Sequence, residues 1–418
     1  MDFNPIDRGE AIDALDAVAD PGVDGRRTIG GMDGEAVRAR VEDIAGGWRA
    51  ERIERLQRRH LERRDFDDLR DAGLLTMPVP VDLGGSWVDL EQSSRQLCCT
   101  YRALAGADPS VALVSSMHPA VIGYWLLRTD AEQKDWEEQR RAVFESALAG
   151  EQWGTITSEP GSGGDIAKTR ATATPSGDPG FLPGDSYHVN GLKHFGSGSG
   201  IADRMVTTAI PDGEEAPALF ALDVAGRPWD GTVGYELVAE WDGVAMRATQ
   251  SHGMRLVEAP AMRAAWDGPI EDLAGPAVPL IAMLFTSVVL GVLDAAVAEA
   301  RPRVAAKAEA LRAYEQVEWT RAERDHWLAR QAWDGAMRSV EHDPAPAATY
   351  AALRAKQSIA DLAEDTTRRL SRVLGGGTLS ASAPFPHWFE DVRALGFLRP
   401  PWALADDALF ATSLQLPA

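Results

Sequence analysis

The sequence predicts an α+β fold, mainly α, in which two helical regions flank a β region. Three observations carry this. Apolar residues recur at helical spacing over 34–71 and again over 90–144. Around Trp153 turn residues crowd in and short β-like runs replace that periodicity. After Pro279 long Ala-, Arg- and Glu-rich helical patterns return.

In chain order, residues 1–32 are rich in Asp, Gly and Pro with weak periodicity, and read as a flexible leader. In the N-terminal helical region, 33–150, Val37, Val41, Ile44, Trp48 and Ile53 mark an amphipathic face in a charged stretch. The run LLTMPVPVDLGG then interrupts the helices and ends on Gly84 and Gly85. In the middle region, 151–268, strands are expected at 187–189, 205–210, 218–224, 235–240 and 254–258, forming an antiparallel sheet or barrel. In the C-terminal region, 269–418, residues 273–293 are 21 residues without a charge. Gly275, Pro276 and Pro279 break the start, leaving 280–293 as the continuous apolar helix. Those 14 residues are too few for ~30 Å of hydrocarbon, so a buried core helix is expected. A further long helix spans 350–373, ended by Gly375, Gly376 and Gly377, and no fixed-period repeat is present.

Composition narrows the function classes. The 418 residues are 45% apolar and 25% charged, enough for sizeable cores without staples. The net charge of −21, from 63 acidic and 42 basic residues, argues against nucleic acid or an anionic membrane as partner. Adjacent Cys98 and Cys99 read as small apolar residues of a reduced, intracellular protein rather than a metal or disulfide site. The opening MDFNPIDRGE lacks the basic-then-apolar pattern of a signal peptide, so a cytoplasmic location is expected.

The common catalytic motifs are missing: no HExxH, Walker A loop or CxxC occurs. GSGSG at 196–200 lacks the βαβ context of a dinucleotide fingerprint and the strand–elbow–helix context of a serine nucleophile. Three other segments stand out. TSEPGSGGD, ending at Asp165, offers hydroxyls and free backbone N–H groups beside a Gly-rich turn that can approach a cofactor closely. NGLKHFGS places Phe195 two residues before Ser197, expected on one face of a strand, which suits a flat heteroaromatic ring. The third is Trp241-Asp-Gly-Val-Ala-Met-Arg-Ala-Thr-Gln-Ser251.

Together and in this order, these segments resemble the acyl-CoA dehydrogenase superfamily of flavoproteins. LLTMPVPVDLGG resembles the family's "L…P.e.GG", TSEPGSGGD its "TEPGAGSD" and NGLKHFGSGS its "NG.K.WITNG". WDGVAMRATQS, LGGGTLS and WFEDVRALG match later family segments, so the resemblance runs from about Phe66 to Phe410. It implies an N-terminal helical domain, a middle β-barrel and a C-terminal four-helix bundle, in a homodimer or homotetramer. It also implies a flavin, usually FAD, between barrel and bundle. Thr157 and Ser158 would meet the pyrimidine side of the ring; Phe195 takes the stacking position and Ser197 the hydroxyl near N5. Gly375 and Gly376 would approach the adenine of a neighbouring subunit's FAD. The family's "R-K-x-F" aligns with Leu311-Arg-Ala-Tyr314, displaced by one position, so Arg312 and Tyr314 are its cofactor-binding candidates.

The reaction is less determined. In the family a glutamate removes the α-proton of an acyl thioester while hydride passes to the flavin. Here the usual glutamate position holds Arg399, a catalytic-site candidate by that position although an arginine cannot be the base, and the alternative position falls in apolar 281–285. One reading is α,β-dehydrogenation of an acyl thioester such as acyl-CoA, with a base elsewhere: Glu315, Glu318 or Glu390. A second is a monooxygenase using reduced FMN or FAD and O₂, with His118 as first and His387 as second catalytic candidate. A third is a non-catalytic flavin-binding homologue. With 37 Arg and 5 Lys in a chain of net −21, a neutral or carrier-free small-molecule substrate gains weight over an anionic CoA ester.

Overall fold

The computed structural model describes residues 33–129, 131 and 135–415; the leader expected at 1–32 lies outside the described residues. The chain runs helices, strands, helices, as the sequence predicts.

The first helices are α1 (Gly34–Trp48), α2 (Arg52–Gln57) and α3 (Arg63–Asp71). On α1 the buried face is Val37, Val41, Ala45 and Trp48, one residue per turn. Helix α4 (Leu90–Ala105) carries Cys98, buried, and Cys99, half-buried. Helix α5 (Pro109–Leu127) is buried on nearly every side. Its start is set by Asp108, whose carboxylate accepts from the Val111 N–H at 3.0 Å, and by Pro109 in the first turn. Helix α6 (Trp136–Leu148) completes this region.

Seven strands follow: β1 (Trp153–Thr155), β2 (Thr172–Pro175), β3 (Ser186–Gly196), β4 (Arg204–Pro211), β5 (Ala218–Asp223), β6 (Tyr235–Ala239) and β7 (His252–Arg263). Strands β2, β3, β7, β5 and β4 pair in a ring, closing a barrel, with β1 on β4 and β6 on β7. The ring is not wholly antiparallel, because β4 pairs parallel with both β1 and β2. Sequence reading found five strands and missed β1 and β2. Both are short, and β2 ends in Pro175; pairing, of β1 with β4 and of β2 with β3 and β4, rather than local pattern makes them strands.

The C-terminal helices are α7 (Ile270–Ala274), α8 (Val278–Ala305), α9 (Ala313–His342), α10 (Ala345–Leu374), α11 (Phe385–Arg393) and α12 (Trp402–Ser413). Helix α8 corrects the reading that proline confines this helix to 280–293. Pro279 falls in its first turn, where no intrahelical N–H is required, and the helix runs 28 residues. Length therefore does not decide its setting. The spans Ile270–Ala305 and Pro109–Leu127 are both long and apolar enough to cross a membrane by composition, but 89% of each apolar window is buried inside the protein. Helix α8 is the centre of the bundle, packed by α9, α10 and α11 and, from the N-terminal region, α4 and α5. A Cβ at Gly291 would sit 2.0 Å from the Arg102 carbonyl oxygen, so α4 and α8 cross in backbone contact.

Candidate functional site

Where helix α5, the barrel and the C-terminal segment meet, the protein encloses a cavity of about 650 Å³, within the usual range for small-molecule and cofactor sites. Its walls come from all three regions: Leu113 and Met117 of α5, the 155–164 and 194–197 segments of the barrel, and Phe285 with residues 397–402 from the bundle side.

The first wall is the glycine-rich loop after β1. Strand β1 leads into it: the Ile156 N–H donates to the Val206 carbonyl at 2.8 Å, and the Thr207 hydroxyl donates to the Ile156 carbonyl at 2.7 Å. Ser158 is held against β3, its carbonyl accepting from the His194 N–H at 2.8 Å. Beneath the loop lies a buried ion pair. Lys193, with no exposed surface, donates to Glu159 Oε1 at 2.6 Å, to the Thr208 carbonyl at 2.6 Å and to the Thr169 hydroxyl at 3.2 Å. Glu159 also accepts from the Thr169 hydroxyl and from the N–H groups of Arg170 (2.7 Å) and Ala171 (3.2 Å). Burial works to raise the Glu159 carboxyl, but the Lys193 ammonium and these donors hold it below its usual range. Gly161, Gly163 and Gly164 then take φ values of +80°, +63° and +83°. A Cβ at Gly164 would lie 2.7 Å from Pro401, so the loop packs on the C-terminal segment without side chains between.

The second wall is the end of β3. Phe195 and Ser197 both line the cavity, but not as alternate residues of a regular strand. The register of β3 against β7 shifts between Lys193 and Gly196, and Phe195 takes φ +59°, an unusual conformation for a bulky residue. This turns the Phe195 ring outward, 58% exposed, edge-on to Trp241 at 6.1 Å. Ser197 stays buried and starts a hydroxyl chain: Ser197 Oγ to Ser251 Oγ at 2.8 Å, and Ser251 Oγ to Thr249 Oγ1 at 2.7 Å.

The third wall is the 241–251 segment, tied to the bundle. The Met246 N–H donates at 2.6 Å to Asp391 of α11. Asp391 is buried; burial, with Asp108 and Glu390 nearby, pushes its carboxyl up to about 7 against the Met246 hydrogen bond and Arg247. The last wall holds Arg399, whose Nη2 donates to Ser158 Oγ at 3.1 Å.

The structure thus brings Thr157, Ser158, Phe195, Ser197 and Arg399 to one cavity. It does not bring His118 there. His118 is buried between helices and barrel, Nε2 meeting the Leu75 carbonyl at 2.9 Å and Nδ1 accepting from the Trp153 N–H at 3.0 Å. Both ring nitrogens are committed, and burial pulls its pKa down to about 4. The first catalytic candidate is therefore a clip joining the 75 turn to β1. His387, the second, bonds the Ala381 carbonyl at 3.2 Å and lines no part of the cavity.

Arg312 caps the start of α9, its N–H bonded to Glu315 at 2.8 Å. Tyr314 borders a shallow surface cleft with Glu318 and Arg372. Gly375 and Gly376 border a separate cleft with Arg368, Arg372 and Glu390. Glu318 pairs with Arg369 at 3.2 Å and Arg372 at 3.4 Å. Among the described residues lining the main cavity the only carboxylate is Glu159, so Glu315, Glu318 and Glu390 are not placed to serve as its base. Sequence reading singled out neither Lys193 and Glu159 nor Asp391. A lysine and a glutamate 34 residues apart, each in a motif, were the available signal.

The residues fit a flavin on this structure's own terms. An outward aromatic ring, buried hydroxyls and a glycine loop where a Cβ at Gly161 or Gly163 would meet open space line one pocket. No protein-family model matches the chain. It is 28% identical over 280 residues to a dibenzothiophene monooxygenase from Mycolicibacterium goodii, covering 62% of this chain and 60% of that protein. It is 28% identical over 362 residues to the amino sugar nitrososynthase DnmZ of Streptomyces peucetius, covering 80% and 82%. In fold it is similar to FMN-bound TdsC from Paenibacillus sp. A11-2, with TM-score 0.74, 20% identity and coverage of 91% and 97%. It is similar to butyryl-CoA dehydrogenase from Megasphaera elsdenii, with TM-score 0.74, 18% identity and coverage of 94% and 100%.

Proposed function

From its place in the acyl-CoA dehydrogenase superfamily, we propose that this flavoenzyme is a monooxygenase that uses reduced FMN and O₂ on a small organic substrate. One observation carries the choice over dehydrogenation. The only carboxylate among the described cavity residues, Glu159, has both oxygens committed to Lys193, Thr169 and two backbone N–H groups. No other carboxylate lines the cavity among the described residues, and the family's base position holds a cation, Arg399. The relatives named as a monooxygenase and a nitrososynthase, and the FMN-bound neighbour, support the same reading.

Thr157, Ser158, Phe195 and Ser197 would hold the flavin ring. When bound in reduced form, the flavin supplies two electrons to O₂, so that one oxygen atom enters the substrate and the other leaves as water. The chain's own part is to orient and to exclude water. Leu113, Met117 and Phe285 make an apolar wall that lowers the local dielectric. The Ser197–Ser251–Thr249 hydroxyl chain can accept or return a proton at Ser197 Oγ. Arg399 holds Ser158 Oγ from the far side. FMN rather than FAD, a homo-oligomeric assembly and a cytoplasmic setting belong to this proposal.

The test is anaerobic stopped flow with the purified chain and photoreduced FMN, followed by mixing with O₂. Binding of reduced FMN and slowed, substrate-dependent reoxidation are expected. Absence of flavin binding in both redox states refutes the proposal. Bleaching of bound oxidised flavin by an acyl-CoA would replace it with the dehydrogenase reading.

A further inference from the structure

We propose that Arg399 is the recognition point for the carboxylate of a small aromatic acid, an inference that rests on the monooxygenase reading and names its substrate class. Arg399 is the one permanently charged cation among the described residues lining the cavity. Its guanidinium has a single side-chain hydrogen bond, Nη2 to Ser158 Oγ at 3.1 Å, and no carboxylate within ion-pair distance among the described residues. Asp165 acts on it only from further away. The one carboxylate in the cavity wall is spent on Lys193. The site therefore carries an uncompensated positive charge beside apolar walls, which is costly until an anion meets it.

The walls around that charge set the rest of the ligand. Phe397 is 74% exposed and Trp402 53% exposed toward solvent and cavity, and Trp241, Phe285 and Leu398 line the same space. Flat aromatic surface suits these walls. A guanidinium offers five N–H donors in a planar fork that matches a carboxylate through two parallel bonds. One cation neutralises a single negative charge, which favours a carboxylate over a phosphate dianion.

The experiment is calorimetric titration of the full chain with benzoate, 2-naphthoate and indole-3-carboxylate, each beside its primary amide, with and without FMN. Wild type, Arg399→Gln and Arg399→Lys are compared, with thermal melts to confirm folding. Wild type should prefer at least one acid over its amide by about tenfold or more. The preference should vanish in Arg399→Gln and survive in part in Arg399→Lys. Failure of wild type to bind any acid, an absent acid preference, or its persistence in Arg399→Gln overturns the inference. If Arg399→Gln does not fold, wild type against Arg399→Lys decides: an unchanged preference in the lysine variant refutes the planar fork. FMN quenching on the same samples separates this from the parent reading. FMN binding without acid preference removes only the aromatic acid, whereas acid preference without FMN binding removes only the monooxygenase.

Discussion

Glu159→Gln should destabilise the protein more than Lys193→Met, and the two changes together should cost clearly less than their sum. Lys193 is fully buried and Glu159 has 4% of its side chain exposed, with Nζ and Oε1 at 2.6 Å. Neutralising Glu159 leaves the buried ammonium without a counter-charge, held only by neutral acceptors such as the Thr208 carbonyl and the Thr169 hydroxyl. Breaking a buried pair from one side costs roughly 3–5 kcal/mol. Neutralising Lys193 leaves Glu159 three donors, Thr169 and the Arg170 and Ala171 N–H groups. That loss should be nearer 2 kcal/mol, about one hydrogen bond to a charged group. The double variant removes both charges, so a coupling of at least about 2 kcal/mol is expected. Urea unfolding followed by tryptophan fluorescence measures all four proteins, and FMN titration reports whether the 158–164 loop still forms its wall. Additive costs would show that the pair does not hold the loop, and that the geometry around Glu159 has been misjudged.

Three further outcomes follow from other residues. Phe195→Asp should abolish flavin binding while leaving the melting temperature nearly unchanged, since the ring is 58% exposed and surface changes usually stay within about 0.5 kcal/mol; retained FMN quenching contradicts the placement. His118, neutral in the folded state with its pKa pulled to about 4, contributes stability that is present above the unfolded value near 6.5 and lost as pH falls toward 4. The loss, up to about 3 kcal/mol, should appear as a stability slope that is absent in His118→Gln. Asp391, pushed up to about 7, has the opposite sign: its protonated form favours the folded state, so stability should fall as pH rises from about 4 to 7. Asp391→Asn keeps an acceptor for the Met246 N–H and should flatten that part of the profile; an unchanged profile sinks the assignment.

Much of the fold was legible before any coordinates. Periodicity marks α1, α4, α8, α9 and α10 because each buries one face or all of its surface, and apolar residues must then recur at helical spacing. The glycine loop, Phe195 and Ser197 were legible because a close-approaching loop and an aromatic–hydroxyl pair leave local marks. Strands β1 and β2 were not: each is only three or four residues long, β2 ends in a proline, and the partner of β1, β4, lies about 50 residues along the chain. The bulge that turns Phe195 outward depends on β7, not on the residues beside it. His118 looked catalytic in sequence because a histidine within an apolar run has no visible partner; only packing brings Leu75 and Trp153 to its two nitrogens.

Sequence alone thus determined the order of helices and strands and the loops that build a cofactor wall, since these follow from local periodicity and turn chemistry. Tertiary structure alone decided which charges are spent and which are left. Lys193 meets Glu159 across 34 residues, and Arg399 reaches Ser158 across 241. A charge's role depends on burial and on the partner within a few ångströms, and in this chain those partners come from distant segments.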